Sequence, residues 1–288
     1  MGMVLGSAVV ALSLLLAAAA SAPVFTVAID PGHGGSNRGA PTKKADVFEK
    51  HLTLAIAKRV QQLLASEKDL KVVLCRKSDL LMPIRTRVRC GNQAGARLFI
   101  SLHANAAGPA EVPGSQQGFE IYVLPMSEVD KEVARVTLLA PDDSEAAWAG
   151  HQVRMSAEQG LAAARRIEWR FADTLGRAKD RGIKQEGAML DVLQGLEIPA
   201  VLVEVGFLDH AEEGPYLLSE EGQRTIAAAL AGAITDIRSR ELRGLREPMT
   251  TAPRPGQARA PTPATDVRRT SDTTSVTTSD EASVPRKR

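Results

Sequence analysis

"ARLFISLHANA", residues 96–106, decides how this chain folds. Leu98, Phe99 and Ile100 are continuously apolar and so occupy both parities, and with Leu102 only Ser101 interrupts the run before it closes on His103 and Asn105. A strand with one wet face alternates apolar and polar residues. A strand apolar on both faces is covered on both, as in a largely parallel sheet between helices. The flanking sequence agrees. "FTVAI" (25–29), "LKVVLCR" (70–76) and "PAVLVEVGF" (199–207) read as further strands, "GFEIYVL" (118–124) as one nearer the sheet edge, and "AMLDVL" (188–193) as another. Between them run helical patterns. Residues 47–66 carry Phe48, Leu52, Ile56, Val60 and Leu63 on one stripe; 83–95 is a shorter helix opened by proline; 152–180 is the best-defined part of a long helical region; 219–242 is a closing helix with Ser219 as its cap. The expected architecture is a single α/β domain over residues 23–242, with a central twisted, largely parallel sheet of about six strands and helices on both faces.

The chemistry collects where such sheets place it, at the carboxyl ends of the strands. The first strand ends in Asp30-Pro31-Gly32-His33, the third in Leu102-His103-Ala104-Asn105, and the last carries Glu204. Glu49 sits in the first turn of the first helix. Each has a plain explanation: Glu49 as the N3 partner of Asp46 in a capping box, His33 as a turn residue, His103 as a core histidine. Glu204 resists one, because a carboxylate inside "PAVLVEVGF" needs a cation, a metal or a proton. The glycines around His33 do not make a phosphate loop: Asn37 stands where a dinucleotide fingerprint has its third glycine, and no P-loop lysine follows. They remove bulk so that one imidazole reaches an open site. Two imidazoles and a carboxylate are a zinc donor set that leaves a fourth position for water. The HExxH helix of common metalloproteases is absent from the sequence.

"AIDPGHGG", "FEKHLTLAIAKRV", "LFISLHANA", "DRGIKQEGAMLDVL" and "PAVLVEVGFLDH", in this order over roughly residues 25–240, resemble the successive motifs of the zinc-dependent N-acetylmuramoyl-L-alanine amidases of the Amidase_3 type, which are bacterial cell-wall enzymes. The resemblance implies one Zn2+ per chain on His33, Glu49 and His103, with Glu204 as the catalytic carboxylate. It implies peptidoglycan as substrate, cut at the amide between N-acetylmuramic acid and L-alanine of the stem peptide. Asp30 and Asn105 are expected, by proximity, to orient the imidazoles. Two other readings stay open: a non-catalytic peptidoglycan-binding regulator on the same fold, and a zinc peptidase acting on small peptides. The chain departs from the family at Asp209-His210, where members often have a serine or asparagine pair. Residues 125–152 form an insertion rich in acids (Glu128, Asp130, Glu132, Asp142, Asp143, Glu145). Some division-associated members carry a helix there that blocks the zinc until an activator protein binds. The same is expected here, against the plainer reading of a surface excursion, and Trp148 is either a stacking residue or an anchor.

The ends of the chain differ in character. Residues 1–22 are apolar and finish in Ala20-Ser21-Ala22, so a cleaved signal peptide is expected, although no Lys or Arg precedes the apolar run and its length approaches that of a membrane anchor. Residues 243–288 are a Thr/Ser/Pro-rich tail, expected to be disordered. An exported protein follows, periplasmic in the first instance and extracellular in the second, since no wall-binding repeat is visible. With 36 basic and 34 acidic residues there is no field for nucleic acid. A monomer is expected. Cys75 and Cys90 are read as half-buried free thiols, with pairing open in an oxidising compartment.

Overall fold

The computed structural model describes residues 24–42, 46–108, 110–185 and 190–244. The expected signal peptide at 1–22 and, past residue 244, the expected tail at 243–288 lie outside the described residues. Six strands, β1 (Phe25–Pro31), β2 (Leu70–Leu74), β3 (Leu98–Asn105), β4 (Phe119–Tyr122), β5 (Asp180–Lys184) and β6 (Ala200–Phe207), form one sheet in the order β2-β1-β3-β6-β4-β5. All neighbours are parallel except β4 and β6, which run antiparallel. The helices are α1 (Glu49–Leu63), α2 (Ile84–Gln93), α3 (Met126–Leu139), α4 (Asp143–Leu175), α5 (Glu213–Leu218) and α6 (Glu220–Gly244).

The two faces are unequal. Val27, Ile29, Ile100, Leu102, Val201 and Val203 point into the larger core, where α1, the carboxyl half of α4 and α6 supply Ile56, Ile167, Phe171 and Leu230. Ala28, Phe99 and Leu202, of the opposite parity, meet Leu190, Val192 and Leu193 on the second face. This explains the largely apolar character of the central strands: both faces are dry, and apolar burial at roughly 25 cal/mol per Å² favours apolar side chains on each.

The sixth strand is not where the sequence placed it. Leu190–Val192 is a turn of 3-10 helix whose apolar side chains cover the sheet, while the strand is Asp180–Lys184, "DRGIK". An edge strand with one large apolar residue has no periodicity to betray it. At the other end, Ser219 caps α6 as expected, its hydroxyl accepting from Gly222 N at 2.9 Å. The cysteines are paired, contrary to expectation: Cys75 follows β2, Cys90 lies on α2, and their Cα atoms are 5.7 Å apart. Closing a loop of sequence separation 15 is worth about 3 kcal/mol on chain-entropy grounds.

The insertion at 125–152 consists of α3 and the start of α4. Asp142 caps α4, accepting from Ser144 N and Glu145 N at 2.9 Å. α3 packs on α4, with Val129 buried and Leu138 and Leu139 exposed. Among the described residues, no helix is long and apolar enough to cross a membrane.

Candidate metal centre

Because β1, β3 and β6 are adjacent and parallel, their carboxyl ends share one edge. His33 follows β1 directly. His103 on β3 stands opposite Glu204 on β6, and the register slips just beyond them, between His103 and Asn105. Glu49 arrives from the first residue of α1. The helix begins at Glu49, with Phe48 as its N-cap, so Glu49 is not the N3 partner of Asp46. That service falls to His51, whose Nδ1 accepts from Phe48 N at 3.1 Å. The Glu49 carboxylate is thereby free to turn inward.

Its oxygens are divided between the two histidines. Oε1 accepts from His103 Nδ1 at 2.9 Å and from Ala104 N at 3.0 Å. Oε2 accepts from Ala40 N at 2.8 Å and lies 2.9 Å from His33 Nε2, in a geometry that makes no hydrogen bond. His33 Nδ1 donates to Asn37 Oδ1 at 2.8 Å, and Gly39 N donates to the same oxygen at 3.2 Å. An atom accepting from two donors is the carbonyl of the amide, so Nδ1 carries the proton and Nε2 keeps its lone pair. One donor atom from each of His33, Glu49 and His103 falls within 4.8 Å of the others. Burial pushes the Glu49 carboxyl up, but the two imidazoles outweigh it and hold the group well below the usual carboxylate range.

The backbone around this cluster explains its glycines. His33 itself is left-handed, with φ of 60°, a region that costs a side chain energy and recurs at functional sites. A Cβ on Gly32 would fall 2.4 Å from His103 Cε1. Gly39 has φ of 70°, and a Cβ there would fall 2.4 Å from Glu49 Oε2. Gly32→Ala is therefore expected to displace the His103 ring and to lower both metal content and activity at least about tenfold, read by metal analysis of the purified variant.

Glu204 is buried beside the cluster, and its Oε2 has no hydrogen-bond partner among the described residues. Burial, then the charges of Glu49 and Glu120, push its carboxyl well above the usual range. Glu120, opposite it on β4, is itself occupied, accepting from Arg181 Nε at 2.5 Å and from Tyr122 Oη at 2.6 Å. A cavity of about 190 Å³ opens on His33 and His103, walled by Met82, Ile84, Asp191 and Val192. None of its lining residues comes from 125–152.

Neither residue expected to orient the imidazoles does so. Asp30 binds Arg87 and Ser101, and Asn105 binds Glu120. Asn37 takes the role for His33, and Glu49 itself for His103. Asn37 was visible in sequence only as the residue that spoiled a glycine fingerprint. At the departure from the family pattern, Asp209 accepts from Ala107 N and Gly114 N, pinning the loop after β3, while His210 Nδ1 accepts from Glu213 N at 3.1 Å at the start of α5.

The Amidase_3 family, described as N-acetylmuramoyl-L-alanine amidase, matches residues 27–236. The probable N-acetylmuramoyl-L-alanine amidase AmiB of Haemophilus influenzae is 31% identical over 229 residues, covering 72% of this chain and 50% of that protein. N-acetylmuramoyl-L-alanine amidase AmiC of Escherichia coli is 27% identical over 222 residues, covering 73% and 52%. The chain thus spans about half the length of these two relatives. Among solved structures, the catalytic domain of CwlV, an N-acetylmuramoyl-L-alanine amidase from Bacillus (Paenibacillus) polymyxa var. colistinus, superposes with a TM-score of 0.58 at 28% identity, covering 75% of this chain and 99% of that one. With all of the sheet but Phe25 and Thr26, and its carboxyl-edge cluster, inside the matched span, the chain belongs to the Amidase_3 family of N-acetylmuramoyl-L-alanine amidases.

Proposed function

We propose that this chain hydrolyses peptidoglycan at the amide joining the lactyl group of N-acetylmuramic acid to L-alanine of the stem peptide. The observation that carries the proposal is the convergence of His33, Glu49 and His103 beside buried Glu204, whose Oε2 has no hydrogen-bond partner among the described residues. The donor set suits zinc: two imidazole nitrogens and one carboxylate oxygen, with the buried Nε2 of His33 lacking a hydrogen-bond partner among the described residues. When bound there, zinc supplies Lewis-acid polarisation of the scissile carbonyl and acidifies water.

The protein's own groups do the rest. Glu204 takes a proton from the attacking water at Oε2 and delivers it to the alanine nitrogen as the carbon–nitrogen bond breaks. Its buried setting favours this exchange, because a carboxylate with a raised proton affinity both accepts and releases a proton nearer neutrality. Asn37 holds the His33 ring, and Met82, Ile84 and Val192 wall the cavity in which the substrate amide sits.

Export is part of the same reading. The leader at 1–22 and the Cys75–Cys90 disulfide both point to an oxidising compartment, for which we propose the periplasm. A monomer acting on the wall is proposed. An activator acting through 125–152 would work through the α3–α4 contact, since no residue of that segment lines the cavity.

Digestion of purified peptidoglycan by the mature chain, with products weighed by mass spectrometry, tests the proposal. Release of intact stem peptides beginning at L-alanine is expected. Cleavage inside the stem would overturn it in favour of a peptidase, and tight binding without cleavage in favour of a binding protein.

A further inference from the structure

Two arginines are buried beneath the metal centre, and the mechanism uses neither. Arg76 is 1% exposed and Arg87 5%. Arg76 donates through Nε to Pro31 O at 2.8 Å, and through Nη2 to Gly32 O at 2.7 Å, Lys50 O at 2.8 Å and Thr53 Oγ1 at 3.1 Å. It thus joins the turn that carries His33 to the first turn of α1, which carries Glu49. Arg87 donates through Nη1 to Asp30 Oδ1 at 2.6 Å and Pro31 O at 2.9 Å, through Nη2 to His33 O at 2.6 Å, and through Nε to Met82 O at 3.1 Å. Three consecutive carbonyls, at residues 31, 32 and 33, are therefore gripped by two guanidinium groups. The chain between the arginines closes over the same turn. Asp79 accepts from Gly35 N at 2.7 Å and Lys50 Nζ at 2.6 Å. A Cβ on Gly34 would fall 2.2 Å from Leu80 O.

The disulfide brackets this whole segment: Cys75 immediately precedes Arg76, and Cys90 lies one helical turn beyond Arg87. We propose that residues 75–90 are a cross-linked clamp that sets the metal affinity of the site. Arg76 and Arg87 are positioning residues that fix His33 in its left-handed conformation and in register with Glu49, and the Cys75–Cys90 bond holds the two arginines at their stations. The physical reason is the strain at His33. A residue at φ of 60° stays there only while its surroundings over-determine it. A planar fork fixes several carbonyls at once where a point charge fixes one. The inference rests on the metal-centre reading given above, and it concerns affinity, which can be measured apart from hydrolysis.

The test is the zinc dissociation constant, by competition with a chromophoric chelator, and the absorption bands of the cobalt-substituted protein, each beside the thermal midpoint. Arg87→Ala is expected to weaken zinc about 10–100-fold and to alter the cobalt bands. Arg87→Lys keeps a charge beside Asp30 but cannot span His33 O and Met82 O together, so it is expected to restore the thermal midpoint and leave affinity at least about tenfold weakened. The double variant Cys75→Ala/Cys90→Ala releases the tether without opening a buried charge, and is expected to lose about tenfold in affinity at temperatures where it is folded. Arg170→Ala is the control: it removes a pair between α4 and Asp236 on α6, and is expected to lower the midpoint while leaving zinc binding unchanged. The clamp is overturned if the cysteine double variant, or a folded Arg87→Ala, binds zinc as the wild type does, or if Arg170→Ala weakens zinc equally. If the wild type binds zinc tightly but leaves peptidoglycan intact, the amidase reading fails and the clamp is still decided by these affinities.

Discussion

Glu204→Gln is expected to keep its zinc and to lose about 10²–10⁴-fold in the rate of muropeptide hydrolysis, the usual worth of a positioned proton-transfer group. Glutamine preserves shape and removes the proton acceptor, so metal content by elemental analysis should stay near one per chain while kcat collapses. A variant that keeps wild-type kcat would remove Glu204 from the mechanism. The same substitution has a second effect with a definite sign. Burial, Glu49 and Glu120 raise the proton affinity of Glu204 in the folded protein above that of an unfolded carboxylate, which titrates at about 4.3. The folded state therefore holds this proton more tightly. In the metal-free protein, stability is lost on this account as pH rises from the unfolded value through the folded one. Glutamine cannot titrate, so the stability of chelated Glu204→Gln relative to wild type should grow as pH rises from near 4, where the two differ little. A carboxylate retained at a stability cost is the signature of a catalytic residue rather than a structural one.

Glu49→Ala is expected to be the more damaging change to the metal. It removes one donor outright, takes the hydrogen-bond partner from His103 Nδ1, and leaves Ala40 N and Ala104 N without their acceptor. Zinc content should fall from about one per chain to near zero at micromolar metal, and hydrolysis with it. Glu49→Gln sharpens the test. Its one carbonyl oxygen can still accept from one of the two backbone amides, Ala40 N or Ala104 N, but it offers no anionic ligand, so the fold should lose less than in Glu49→Ala while metal binding drops at least about 100-fold. Retention of stoichiometric zinc by Glu49→Gln would show that the two imidazoles bind the metal with some other partner.

Much of the site could be read before any coordinates because its residues break local patterns. His103 and Glu204 are polar groups in otherwise apolar strands, and His33 stands among glycines whose only shared purpose is to clear space. Such conflicts between a residue and its surroundings mark function. What stayed hidden obeys no local rule. Arg76 and Arg87 look like ordinary charges on a strand end and a short helix, yet they are buried against the carbonyls of residues 31–33. Asn37 reaches His33 across a tight four-residue turn whose geometry no pattern announces, and Glu120 meets Glu204 only through the pairing of β4 with β6. The strand at Asp180–Lys184 escaped because an edge strand pairs through its backbone and leaves its side chains free to be polar.

The sequence by itself therefore determined the class of fold, through strands apolar at both parities, and the identity of the candidate donors, through polar residues that a dry strand would not otherwise keep. Only the tertiary structure decided who touches whom. The antiparallel insertion of β4 beside β6 sets Glu120 against Glu204. The start of α1 at Glu49, one residue after its cap, turns that carboxylate between the histidines. The closeness of β2 to α2 makes a disulfide of two cysteines that read as free thiols. Each of these depends on contacts between residues far apart in the chain, whose geometry is fixed by packing and not by the pattern of any one segment.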